Sequence, residues 1–82
     1  MKFDYKKDAI KHYTSILDDD CSVVDNGNEI LFFAADPISL VQFANTNDPN
    51  DIKSKLYYKV VYENGKWESY GNNHGTMVKM NG

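Results

Sequence analysis

The sequence of 82 residues predicts a single small α+β domain, residues 1–82, in the order αββα(α)βββ. An antiparallel sheet of about four or five strands is expected, packed on one face by helices. Three observations carry that expectation. Apolar residues recur at helical spacing near the N-terminus, two Asn-Gly dipeptides each divide a pair of strand-like runs, and two Asp-Pro dipeptides have the form of helix starts.

Ala9, Ile10, Tyr13, Ile16 and Leu17 lay one apolar stripe along a helix, so residues 5–17 are expected to be helical. Asp4 is the expected N-cap. The charges that follow oppose the macrodipole, with Lys6 and Lys7 in the first turn and Asp18, Asp19 and Asp20 crowding the end. The helix gains nothing from those three aspartates.

Residues 21–25 and 28–35 flank Asn26-Gly27, a dipeptide suited to positive φ at both central positions of a type I′ turn. A two-residue hairpin is expected, with Val24 opposite Glu29, Val23 opposite Ile30 and Cys21 opposite Phe32. Asp36-Pro37 then opens a second helix, Asp capping and Pro at the first helical position, where its missing N–H costs nothing. Ile38, Leu40, Val41, Phe43 and Ala44 are its expected buried side, and Asn45 its end. Asp48-Pro49 repeats the start signal and predicts one more helical turn through Lys53.

Residues 56–63 and 66–70 flank Asn64-Gly65 and predict a second hairpin, with Tyr62 opposite Trp67 and Glu63 opposite Lys66. Alternation assigns Leu56, Tyr58, Val60, Tyr62 and Trp67 to the core face. The opposite face then carries Tyr57, Lys59, Val61, Glu63, Lys66, Glu68 and Tyr70. Residues 71–75 read as a loop and residues 76–80 as a last short strand.

Composition bounds the function. With 41% hydrophobic and 13% aromatic residues the chain is rich enough to fold, although one this short buries only about 60–65% of its unfolded surface. Cys21 is the single cysteine, so no intrachain disulfide can form and a reducing, cytoplasmic setting is expected. No signal peptide or membrane span is expected from the hydropathy pattern. Arg is absent while Lys, Asn, Asp and Tyr abound, as AT-rich coding in low-GC bacteria and their phages produces.

The charge is distributed unevenly. Residues 1–11, 12–52 and 53–82 carry +2, −8 and +3, which together give the net −3, and the middle segment has no basic residue. Asp36 and Asp48 are explained by capping. Asp18, Asp19, Asp20, Asp25 and Glu29 are left to form an anionic surface that would attract a basic site on a larger protein.

Other chemistry is weaker. The segment from Asp18 to Glu29 lacks the ligand spacing of a calcium loop, and residues 71–75 lack the Walker lysine, so no metal, cofactor or nucleotide is expected. Cys21 follows three aspartates, the reverse of the electropositive setting that activates a nucleophilic thiol. An enzyme is not expected; if there were one, His74 would be its general base, with Asn72 or Asn73 as donors. Exposed Tyr57 and Tyr70 suit a protein interface at least as well as nucleic-acid stacking, because Glu63 and Glu68 would repel a phosphate backbone.

Size, charge layout and composition together resemble DNA-mimic inhibitors in properties, without any family motif. The expected function is a phage or mobile-element inhibitor of a host nucleic-acid enzyme, such as a restriction nuclease, a CRISPR effector or a DNA-repair enzyme. Its expected contacts are Asp18, Asp19, Asp20, Asp25, Glu29, Tyr57 and Tyr70; it would bind protein and neither nucleic acid nor membrane. The alternative expectation is an interaction module, such as an immunity or regulatory subunit, docking through its tyrosine-bearing hairpin or a sheet edge.

Overall fold

The computed structural model describes residues 2–17, 21–44 and 55–80. Asp18–Asp20, the Asn45 helix end and the helical turn expected after Asp48-Pro49 lie outside the described residues. The elements are β1 (Lys2–Phe3), α1 (Lys6–Leu17), β2 (Ser22–Asp25), β3 (Glu29–Phe33), α2 (Pro37–Ala44), β4 (Leu56–Glu63), β5 (Lys66–Asn73) and β6 (Thr76–Lys79). They form an α+β domain with an antiparallel sheet of six strands, in the order β1-β5-β4-β3-β2, with β6 also on β5. No helix among the described residues is long and apolar enough to cross a membrane.

The core lies between α1 and one face of the sheet. Ala9, Tyr13, Ile30, Phe32 and Val60 are fully buried and Trp67 nearly so, with Phe3, Ile10, Leu17 and Tyr58 packed around them. Tyr13 is the hub: its ring centroid lies 5.2 Å from that of Phe32 and 4.6 Å from that of Tyr58. Such aromatic pairs contribute about 0.5–1.5 kcal/mol each beyond their burial. Burial pushes the Tyr13 hydroxyl above its ordinary pKa, so it stays protonated, and it donates to the Met80 sulfur at 3.7 Å. That contact ties the chain beyond β6 to the helix.

Three expectations about the core are corrected. Ile16 and Tyr62 are 49% and 46% exposed rather than buried. On α2, Ile38 and Val41 are 74% and 60% exposed, so these two do not form the helix's buried side. The expectation for Leu40, Phe43 and Ala44 lies outside the described side chains.

The second hairpin has the expected register, with Tyr62 opposite Trp67 and Glu63 opposite Lys66. Asn64 and Gly65 have φ of 52° and 79°, both positive as a type I′ turn requires. The first hairpin differs. Its pairs are Asp25 with Ile30, Val24 with Leu31 and Val23 with Phe32, an offset of two residues from the expected pairing. The cause is local: Asp25 Oδ1 accepts the Gly27 N–H at 2.9 Å and Asn26 N–H donates to the Glu29 carbonyl at 2.8 Å. Gly27-Asn28 thereby becomes the turn, with positive φ at Gly27 alone, the pattern of type II′. Because the side-chain period is two, the offset leaves every residue on its expected face.

The loop expected over residues 71–75 is mostly strand. β5 runs on to Asn73 and pairs with β6, so that only His74-Gly75 turns, with φ of 53° and 91°. Asn72 uses its side chain on both sides, accepting the Gly75 N–H at 2.8 Å and donating to the Leu56 carbonyl at 2.6 Å. The short β1 gave no signal in the sequence; it lies beside β5, with Lys2 opposite Glu68 and Phe3 opposite Trp67. Asp4, the expected N-cap, instead holds the Lys66 ammonium.

Candidate functional site

The residues expected to bind a partner fall into two groups. Asp25 and Glu29 flank the β2–β3 turn, at the opposite end of β2 from Cys21. Asp18, Asp19 and Asp20 precede Cys21 and lie outside the described residues. Asp25 is engaged: besides the Gly27 N–H it takes the Lys6 ammonium at 3.1 Å, and these bonds hold its carboxyl below the usual carboxylate range. Lys6 also sits 5.3 Å from the Trp67 ring centroid. One basic residue from the N-terminal segment therefore folds onto the acidic hairpin. Glu29 is half-buried, opposite Val61.

Sheet order turns the uneven charge of the chain into a separation in space. At one side, β2 and β3 carry Asp25 and Glu29 and no basic residue. Asp36 follows them, its carboxylate accepting the Ser39 N–H at 2.7 Å as the cap of α2, which holds its carboxyl below the usual range. The lysines of the sheet, Lys2, Lys59, Lys66 and Lys79, belong to β1, β4, β5 and β6. Three of the four have acidic partners on that same side: Lys2 meets Glu68 at 3.3 Å, Lys79 meets Glu63 at 3.6 Å, and Lys66 holds Asp4. Local pairing thus offsets the basic side, while Lys6 alone reaches the acidic hairpin among the described ion pairs.

The tyrosines occupy different settings. The β3–β4 register shifts between Phe32 and Phe33, so Tyr57 is the extra residue of a β-bulge, 47% exposed. A bulge re-aims a side chain out of the regular pleat. Tyr70 is half-buried and fixed: its hydroxyl donates to Glu63 Oε1 at 2.7 Å, which raises its pKa, and Lys59 lies 5.2 Å from its ring centroid. Tyr57 is accessible, and Tyr70 is part of a polar network with Glu63, Lys59 and Lys79.

The two histidines lie on different elements. His74 occupies the first turn position between β5 and β6, exposed and with left-handed φ. His12 packs between Phe3 and Tyr13, ring centroids 5.4 and 4.9 Å away, and helps line an open groove of about 530 Å³ with Asp8, Lys11, Ser15 and Ile16. Among the described residues no group of three or more His, Cys, Asp or Glu is gathered to hold a metal ion.

Sequence reasoning missed Lys6 as the partner of Asp25 and Val23 as an exposed residue of an edge strand. A lysine in the wrong turn of a helix is a signal for the first; the second required the strand order. No family model, no curated protein and no solved structure matches the chain.

Proposed function

We propose that this chain is a stoichiometric protein ligand, a small acidic inhibitor of the kind phages and mobile elements encode, which covers the basic nucleic-acid-binding site of a larger host enzyme. One observation carries the reading: β2 and β3 bear acids and no lysine, lie together at one side of the sheet, and receive Lys6 as their one cation among the described ion pairs, while the lysines of the other strands are mostly paired locally. Asp18, Asp19 and Asp20 precede Cys21 in the sequence, and Asp25 and Glu29 flank the β2–β3 turn. In this reading the acidic segment stands in for phosphates, and its field accelerates encounter with a basic groove by about ten- to a thousandfold at low salt.

The test is capture on immobilised chain, with duplex DNA as competitor. A nucleic-acid enzyme that duplex DNA displaces, and whose affinity falls steeply between about 0.05 and 0.5 M salt, is the expected result. Capture that neither DNA nor salt disturbs contradicts the reading.

A second reading rests on Tyr57. An exposed tyrosine re-aimed by a bulge suits a protein interface because it offers large contact area at low entropic cost. In that case the chain is an interaction module, such as an immunity or regulatory subunit, and Tyr57→Ala abolishes binding that salt leaves almost unchanged.

A further inference from the structure

β2 pairs with β3 and, among the described residues, with no other strand. The phase of the ladder decides which of its backbone groups point outward. Asn26 N–H donates to the Glu29 carbonyl, so the Val24–Leu31 and Ser22–Phe33 pairs are the hydrogen-bonded ones. The N–H and C=O groups of Val23 and Asp25 therefore face away from β3, at the spacing a further strand uses.

Sheets usually blunt such an edge with lysine, proline or a bulge. The four-residue β2, Ser-Val-Val-Asp, has none of these and carries its one charge, Asp25, at its end; its register with β3 is regular, and Val23 is 37% exposed. The other edge is built differently, divided between the two residues of β1 and the four of β6, with Lys2 and Lys79 on them. Charge selects the occupant. Asp25 and Glu29 lie at the β2 side without a basic residue on either strand, and Lys6 of α1 offsets one of these two charges, so the side keeps an acidic excess that a second copy of this acidic segment does not complement. A strand with Lys or Arg at alternate positions brings the complementary sign.

We infer that the outer edge of β2 accepts an extended, basic segment of the protein partner as an added strand. The inference rests on the acidic-inhibitor reading for the sign of the partner's charge, and names how that partner is held. Backbone bonds to Val23 and Asp25 supply the pairing, while side-chain charge supplies the selection.

The probe is a short capped peptide of alternating Lys and Val, titrated into the isotope-labelled chain, with hydrogen exchange followed at each amide. Exchange slows at Val23 and Asp25, and a peptide with the same side chains but N-methylated amides binds at least about tenfold more weakly. Val23→Pro has the same effect on the unmethylated peptide, since this N–H is not used in the β2–β3 ladder and the charge is unchanged. Should that variant fail to fold, the N-methylated peptide still decides.

Equal binding by both peptides overturns strand addition and leaves the acidic reading standing. Equal protection of Val23 and Asp25 by a Glu/Val peptide keeps strand addition and overturns the acidic reading. Protection at Thr76–Lys79 instead, a peptide-free dimer protected at Val23, or no binding at all each overturns the inference.

Discussion

Asp25 shows how one side chain sets both a turn and a charge. Its bonds to the Gly27 N–H and the Lys6 ammonium hold its pKa below the unfolded value, so it stabilises the fold above about pH 4, and that contribution is lost as pH falls through the depressed folded value. Asp25→Asn should lower Tm at pH 7 and flatten the acid limb of the stability profile, as thermal melts between pH 7 and pH 2 would show. Asp36 obeys the same sign, but Asn caps a helix nearly as well as Asp, so Asp36→Asn should keep most of the Tm that Asp36→Ala loses. The Asp36 cap was legible in the sequence because donor and acceptor are three residues apart. The partner of Asp25 was not, since Lys6 is 19 residues away and only the packing of α1 brings it near.

At the scale of elements, two Asn-Gly dipeptides gave different turns. Asn64-Gly65 takes positive φ at both residues and sets the expected register; the carboxylate one residue earlier, Glu63, is held by the Tyr70 hydroxyl and the Lys79 ammonium. At Asn26-Gly27 the carboxylate one residue earlier captures the Gly27 N–H, and the turn moves on by one residue. Gly27 and Gly65 have φ of 88° and 79° with open space where a Cβ would stand, so either Gly→Ala change should cost about 1–2 kcal/mol through the backbone alone, readable in denaturant midpoints. His74-Gly75 was legible in principle, as histidine enters the left-handed region more readily than most residues. The α2 start was correct, while the exposure of Ile38 and Val41 was not foreseen: periodicity identifies an apolar stripe but not whether a neighbour covers it.

For the whole molecule, stability and binding are separable. A chain of 82 residues is stabilised by roughly 4–12 kcal/mol, and Phe32→Ala at the fully buried centre should remove about 3–5 kcal/mol of it, most visibly as a large fall in Tm. Asp25 and Glu29 lie outside that buried cluster, so changing them leaves the core intact, Asp25 costing only its turn and Lys6 bonds. The uneven charge was plain in the sequence; its separation across the sheet depended on strand order, which no local pattern encodes. The most direct test is the affinity of the captured enzyme for the variant carrying Asp18→Lys, Asp19→Lys and Asp20→Lys, measured beside Tyr57→Ala at about 0.05 and 0.5 M salt. Loss of at least about tenfold in the charge-reversed chain at low salt, with its Tm retained and Tyr57→Ala affected less, is the predicted result. Unchanged affinity in the charge-reversed chain, with binding lost in Tyr57→Ala, would contradict it.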